Sequence, residues 1–368
     1  MLDKIRVMHL TYTLEGGGTE QQLVYLLNGI DASNFENAVL SVVAQGQQPI
    51  TSPVTFFEVP RAHKWDPRWG GVRAVCQNWK PDIVHVWNPY VLPSSIPAIF
   101  NRNVKAIVSS YRSTYRIDSL FNLIHAISLL FVHKIVSNVR EEEMYPPFRQ
   151  LFRLKNGEVI PNGLDLEHIQ SAAKIDLESF GINPAQPKIL YVGRLIRDKN
   201  FSGLLRALSL VTKGDLPGCQ LIICGKGSEL TSFEEVARAL GISDRVFFLG
   251  YRRDVFRFMK SCDLLVLPSF IEGMPNVLFE AMAAGLPVIA SDISAHRRWI
   301  EAGKHGLLFD PHDPGHLARC IEKILNSDRE DILRMTENAY LEVSEYSVER
   351  MVKRYEVLYR GIMCGESS

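Results

Sequence analysis

The chain has 368 residues, 46% of them apolar and 22% charged, with Lys+Arg and Asp+Glu balanced at 41 each. That length exceeds one ordinary core and points to two domains at about 150 residues apiece, and the charge balance excludes a global field that would favour nucleic acid or membrane. The six cysteines (Cys76, Cys219, Cys224, Cys262, Cys320 and Cys364) form no C-x-x-C pair and no zinc-spaced set with histidine, so they read as reduced, mostly buried small hydrophobes in a cytoplasmic protein.

In chain order, MLDKIRVMHLTY opens the sequence as a strand-like stretch, too short and too broken by charge for a signal peptide. IRVMHLTY, NAVLSVVA, VTFFEVP, DIVHVWN, KAIVSSY and KIVSNV then read as strands of a first domain. KILYVGRL, QLIICGKG, RVFFLGY, DLLVLPS, PVIAS and GLLFD read as strands of a second. Most are continuous apolar runs, the pattern of parallel strands covered on both faces. GTEQQLVYLLNGI, FSGLLRALSLV, TSFEEVARALG and PNVLFEAMAAG between them have helical periodicity. The alternation predicts two Rossmann-like, doubly wound α/β domains.

The longest apolar segment, LFNLIHAISLLFVHKIV at 120–136, contains Asn122, His125, His133 and Lys134. It falls short of the ~20 clean apolar residues of a spanning helix. The pattern restarts near residue 188 after a polar stretch at 165–187, which places the first domain at 1–162 and the second at 163–345. The last segment, within 346–368, is amphipathic, with Val348, Met351, Val352, Tyr355 and Leu358 on one face.

Open parallel sheets bind ligands beyond the carboxyl ends of their strands, so two such domains facing each other would hold a ligand in the cleft between them. Five loops qualify. TYTLEGGGTE runs through Gly16, Gly17 and Gly18 into a helix near Thr19, and such a turn lets a backbone approach an anion; the alternative is a flexible turn with Thr19 as N-cap. Its spacing is not the dinucleotide fingerprint. VGRLIRDKN places Arg194 and Lys199 after a buried strand, where together they could grip a pyrophosphate without a metal. ICGKGSEL turns at Gly225 and Gly227 into a helix capped by Ser228, a weak signal alone. FLGYRRDVFRFM offers Gly250, Tyr251 and Arg252 to a nucleobase edge, with Arg252 and Arg253 equally readable as exposed.

The fifth loop is SFIEGMPNVLFEAMAAG. Glu272 lies in the loop with Gly273, Met274 and Pro275, and the free N–H groups of Asn276, Val277 and Leu278 at the helix start could face an anion. Glu280 follows among Leu278, Phe279, Ala281, Met282, Ala283 and Ala284, where an acid needs a polar partner; it could accept both ribose hydroxyls.

These residues together resemble the retaining glycosyltransferases of family 4 (group 1), with a GT-B fold. The resemblance spans nearly the whole chain and is strongest from Gly193 to Asp292, in VGRLIRDKN and the E-x7-E stretch EGMPNVLFEAMAAGLPVIASD; GGGTE and VIPNGLD are similar to the family's first-domain glycine loop and interdomain segment. It implies that Arg194 and Lys199 bind and stabilise the departing diphosphate, Glu280 the ribose and Glu272 the transferred sugar. It also implies that Gly17 and Gly18 pack against the donor phosphates, that no divalent metal or other cofactor is required beyond a nucleotide-sugar donor (a UDP-sugar foremost), and that the final helix crosses back to the first domain. The implied enzyme is a hexosyl- or glycosyltransferase of class EC 2.4.

One departure stands out. Where the family often has a histidine after the fifth strand, this chain has Tyr111 and Arg112, which with Asn88 become acceptor candidates; His85 reads better as a core or strand-end residue.

The acceptor is expected on the first domain. Residues 101–155 carry Arg102, Lys105, Arg112, Arg116, Lys134, Arg140, Arg149, Arg153 and Lys155 against Asp118, Glu141, Glu142 and Glu143. Beside an apolar helix at 120–132, this excess could dock on anionic lipid at the cytoplasmic face, with a glycan or lipid-linked acceptor; a core-facing helix with a solvated basic flank is the plainer alternative. Two other functions remain open, a nucleotide-sugar epimerase of the same fold and a catalytically silent nucleotide-sugar-binding subunit.

Overall fold

The computed structural model describes residues 4–14, 17–42, 49–59, 68–112, 127–141, 144 and 146–365. The chain divides into two compact units, Met1–Gly163 with Tyr346–Ser368, and Leu164–Glu345.

The first unit holds seven strands: β1 Ile5–Thr11, β2 Phe35–Ser41, β3 Val54–Glu58, β4 Ile83–Val86, β5 Ala106–Tyr111, β6 Lys134–Ser137 and β7 Glu158–Val159. All pair in parallel, in the order β3-β2-β1-β4-β5-β6-β7. Side chains alternate between faces along each strand. Val7, Val39, Ile83, Val108 and Val136 therefore form one apolar layer, and Met8, Leu40, Val84, Ile107 and Ile135 the opposite one.

The helix Val348–Cys364 closes the Val7 layer by burying Met351, Val352, Tyr355, Leu358 and Tyr359. It shares that layer with Leu23, Leu26 and Leu27 of the helix Gly18–Gly29. Each predicted strand is found. The two-residue β7 was missed, since its residues are a polar–apolar pair with no run to detect.

The predicted helix at 120–132 falls partly outside the described residues, as do Gly16, Arg116, Asp118, Glu142 and Glu143. Where the segment is described, only 127–129 are helical and Leu130 and Phe131 form a turn ahead of β6. Among the described residues no helix is long and apolar enough to cross a membrane. All six cysteines are free, and only Cys364 is exposed.

The second unit contains β8 Lys188–Val192, β9 Gln220–Cys224, β10 Val246–Phe248, β11 Leu264–Leu267, β12 Val288–Ser291 and β13 Leu307–Phe309. They form a parallel sheet in the order β10-β9-β8-β11-β12-β13. Its core joins Ile189, Tyr191, Leu221, Ile223, Leu264, Val266 and Ile289 to Leu204, Leu208 and Val211 of the helix Phe201–Lys213.

Candidate active site

From β8 the second sheet is wound one way through β9 to β10, and from β11 the other way through β12 to β13. The reversal falls between β8 and β11, which are paired neighbours. Beyond such strand ends the two departing connections leave a crevice. Residues 193–200 and 268–275 border it.

The 193–200 loop is tied down at several points. Tyr191 OH donates to the Arg194 carbonyl at 2.9 Å, and Leu195 N–H donates to the Lys226 carbonyl at 2.9 Å. A single 3-10 turn, Arg197–Lys199, ends at Asn200 in the left-handed region with φ 47°. Asn tolerates that conformation better than most residues, and its amide donates to the Pro311 carbonyl at 2.8 Å. The 268–275 loop joins in through Phe270 N–H, which donates to the Asp198 carbonyl at 2.9 Å.

These supports bring Lys199 Nζ to 2.5 Å from Glu272 Oε1, with both side chains only 16% exposed. Ser269 Oγ donates to the same oxygen at 2.7 Å. The other oxygen of Glu272 bonds to no described residue. An ammonium has three donors, so two of those on Lys199 stay available to a ligand. Arg194 is exposed and its guanidinium bonds to no described residue. A charge-neutral pair, an uncommitted guanidinium and a helix N-terminus thus lie on the two loops that follow the reversal, a set of groups suited to a multiply charged anion.

The helix Asn276–Ala284 begins beside this group with Pro275 as N-cap. Leu278 N–H is not available as predicted: it donates to the Pro275 carbonyl at 2.9 Å, because the first turn is tight, and its side chain is wholly buried. Gly273, Met274, Asn276 and Val277 line the approach and are half-buried. Glu280 is half-buried, and its carboxyl bonds to no described residue; burial pushes its pKa up to about 7. The polar partner that the sequence called for is not supplied by the described protein groups.

Gly225 and Gly227 are explained by backbone contact. A Cβ at Gly225 would lie 1.9 Å from the Gly193 carbonyl oxygen, and one at Gly227 2.1 Å from that of Leu195. The helix after them starts at Leu230 with Glu229 as N-cap, so the expected Ser228 cap is corrected. Tyr251 is 47% exposed and open to a ring contact. Arg252 is not: its guanidinium grips Asp254 at 2.8 and 2.7 Å and lies 5.3 Å from the centroids of Phe180 and Phe258. It clamps its own loop.

In the first unit the corresponding reversal lies between β1 and β4, where Gly17, Gly18 and Asn88 follow the strands. Gly17 is the N-cap of the helix Gly18–Gly29. A Cβ there would fall 2.1 Å from Oε2 of Glu20, a residue only 8% exposed. The helix N-terminus read as facing donor phosphates is therefore covered by the chain's own carboxyl, in the position of a capping-box glutamate. Thr19 lies inside the helix and is not its cap.

Asn88 is half-buried, with its carbonyl accepting from Val91 N–H at 3.1 Å. Tyr111 packs into the core at 4% exposure. Arg112 donates to Asn162 Oδ1 and to Tyr355 OH, each at 2.7 Å, and lies 4.4 Å over the Trp87 ring. Tyr111 and Arg112 are thus occupied structurally and not set out for an acceptor. His85 is the core residue expected: its ring nitrogens meet Tyr359 OH at 2.6 Å and Ser110 Oγ at 2.9 Å. Among the described residues no group of three or more His, Cys, Asp or Glu is placed to hold a metal.

Residues 173–342 match the family model described as glycosyl transferases group 1. Over 358 residues the chain is 23% identical to an uncharacterized glycosyltransferase of Haemophilus influenzae, covering 92% of this chain and 95% of that protein. Over 170 residues it is 31% identical to the lipopolysaccharide core biosynthesis glycosyltransferase LpsE of Rhizobium meliloti, covering 46% of this chain and 48% of the relative. The Anabaena protein HepE, solved in complex with UDP and glucose, shares the fold with a TM-score of 0.82 at 21% identity, over 97% of this chain and 100% of that one. The architecture, two parallel-sheet Rossmann-like α/β domains, is that of GT-B glycosyltransferases.

Proposed function

We propose, on the premise that residues 173–342 of this GT-B chain are a glycosyltransferase group 1 domain, that the protein is a retaining, metal-independent glycosyltransferase. It moves a sugar from a nucleotide sugar, a UDP-sugar foremost, to a hydroxyl of a glycan or lipid-linked acceptor in cell-surface polysaccharide or glycoconjugate synthesis. The observation that carries the reading is the Lys199–Glu272 pair at the β8/β11 reversal with Arg194 uncommitted beside it. HepE in complex with UDP and glucose supports the donor class, and LpsE supports the acceptor setting.

As the bond from the sugar's anomeric carbon to the diphosphate oxygen breaks, negative charge grows on the leaving nucleoside diphosphate. Arg194 and the two uncommitted donors of Lys199 are placed to stabilise it, the charge neutralisation that a divalent metal would otherwise provide. The uncommitted oxygen of Glu272 holds a hydroxyl of the transferred sugar. Glu280 accepts from the ribose hydroxyls, with Tyr251 and the backbone about Gly225 and Gly227 at the base. Gly17 is left out of the phosphate set because the Glu20 carboxyl lies against it, and Gly18 is kept as a proposed phosphate contact.

The first unit is assigned the acceptor. Leu130 (63% exposed), Phe131 and Leu154 (80% exposed) lie in the segments that carry Lys134, Arg149, Arg153 and Lys155, with Lys155 Nζ donating to the Leu130 carbonyl at 3.0 Å and Arg153 paired to Glu141. This basic and apolar patch is read as a peripheral contact with anionic lipid.

Thermal-shift titration with UDP, GDP and ADP, followed by a screen of nucleotide sugars for release of diphosphate, tests the donor reading. UDP at a hundred times its dissociation constant should stabilise the chain by about 2.7 kcal/mol. No shift with any of the three would refute nucleotide binding, and binding without turnover on any donor would leave a silent binder in place of a transferase. Flotation with anionic but not neutral liposomes is the expected membrane result.

A further inference from the structure

Beneath the Lys199–Glu272 pair lies a set of buried polar groups that the donor reading does not use. Ser269, Ser291 and His296 are each at most 1% exposed. Ser269 and Ser291 follow or end the neighbouring strands β11 and β12, and His296 sits on the short turn of helix Ser294–Arg297.

Their hydrogen bonds run in one direction. His296 Nδ1 lies 2.9 Å from the Ser291 carbonyl oxygen, so that nitrogen carries the proton and donates. Ser291 Oγ donates to the Ser269 carbonyl oxygen. Ser269 Oγ then donates to Glu272 Oε1 at 2.7 Å, the oxygen that also accepts from Lys199. The chain of contacts ends on one carboxylate oxygen and leaves the other uncommitted.

We propose that Ser269, Ser291 and His296 are positioning residues that hold the Glu272 carboxylate against Lys199 and turn its second oxygen toward the transferred sugar; the inference rests on the donor reading above. A lone carboxylate on a loop can rotate about its side-chain torsions, and fixing one oxygen with two donors removes that freedom. The Ser269 carbonyl is held by Ser291 at the end of β12, and the Ser291 carbonyl by His296 on the helix Ser294–Arg297, so elements at the carboxyl edge of the sheet set the angle. Burial foremost lowers the His296 pKa and favours the neutral ring, helped by the charge of Lys199 and opposed by the Ser291 carbonyl contact and the charge of Glu272. A neutral ring with Nδ1 protonated keeps Nε2 as a bare acceptor, and that atom meets no described partner.

The test compares Ser269→Ala, Glu272→Ala, the double variant, His296→Asn and His296→Gln, each checked for fold by thermal melting. Ser269→Ala should lower kcat about tenfold and leave the dissociation constant for UDP within twofold, because it acts on sugar orientation and not on diphosphate binding. In the Glu272→Ala background the same change should cost less than twofold, since its target is gone. An asparagine amide can reach the place of Nδ1 and should retain most activity; a glutamine amide reaches the place of Nε2 and should lose about fivefold. Additive losses, or rescue by glutamine and not asparagine, would overturn the relay, the latter pointing to direct ligand contact by Nε2. A crystal structure of Ser269→Ala supplies an arm that needs no turnover. The Glu272 carboxylate should rotate away from its present position, and an unmoved carboxylate would refute the proposal even if the wild-type chain proved to transfer no sugar.

Discussion

In the first unit, the polar groups on β1, β4 and β5 and just beyond them are bonded to one another. His9 meets Asn37 at 3.1 Å and accepts from Trp87 Nε1 at 3.0 Å, His85 meets Tyr359 and Ser110, and Arg112 meets Asn162 and Tyr355. In the second unit the same ends of the sheet carry Arg194, Lys199, Glu272 and Glu280, and among the described contacts each keeps at least one donor or acceptor uncommitted. Equivalent places in two similar sheets have therefore been put to opposite uses. Where polar atoms close on each other, they lock a helix onto a sheet; where they stop short, they leave valence for a ligand. The difference is visible in the charges: burial lowers the His9 pKa to about 4, which suits a neutral core residue, whereas burial raises Glu280 to about 7 and its carboxyl meets no partner among the described residues.

The comparison can be broken by substitution. The largest effect belongs to Lys199→Ala, which removes the donors nearest the departing diphosphate: turnover of the best nucleotide sugar should fall by roughly 10²–10³-fold, as for loss of one oxyanion donor, with the melting temperature little changed. A near wild-type rate would remove Lys199 from the mechanism.

Arg112→Met should do the reverse. It removes the bonds to Asn162 Oδ1 and Tyr355 OH and deletes the stacking on Trp87, costing about 2–3 kcal/mol in denaturant unfolding. UDP affinity should stay within twofold. If affinity fell with stability unchanged, the first-unit cluster would belong to a ligand site after all.

Glu280→Gln gives the smallest but most diagnostic shift. The unfolded carboxyl titrates near 4.5 and the folded one near 7. As pH rises through that window the unfolded chain loses a proton that the folded chain retains, so the wild type loses stability between those values and stays at the lower level above them. The Gln variant escapes this loss. Its advantage should grow from nothing near pH 4.5 to about 1–2 kcal/mol above pH 7, after allowing for partial exposure, while the stabilisation by UDP shrinks. Parallel pH–stability curves for the two proteins would show that burial does not strain Glu280.

Much of this contrast could be read from the chain. Runs such as KILYV, LLVL and VIAS are continuous and apolar because strands covered on both faces can tolerate little else, and the loops that follow them held Arg194, Lys199 and Glu272. Glu158–Val159 escaped notice because a two-residue edge strand needs no hydrophobic run. Leu278 was misassigned because a free N–H depends on how tightly the first turn closes, which composition does not reveal. The Arg252 clamp on Asp254 lies two residues away and was open to view, yet its choice of partner depended on Phe180 and Phe258 arriving from elsewhere. The relay through Ser269, Ser291 and His296 joins residues brought together by adjacent strands, and two serines near strand ends carry no signal until the strand order is known.

The stacked backbones of the second unit bear on how this site can change over time. Gly193 N–H donates to the Cys224 carbonyl at 3.1 Å, Leu195 N–H to that of Lys226, and Gly225 N–H to that of Gly250 at 2.7 Å. Three successive loops are thus bolted main chain to main chain, with Gly225 and Gly227 leaving no room for even a methyl group. Lengthening or grafting any one of them would displace the next two and, through Phe270 and Asp198, the 268–275 loop as well. Variation in donor preference has to come from exchanging side chains at fixed backbone positions such as Tyr251 and Met274, and a library aimed at a new donor would do best to keep loop lengths constant.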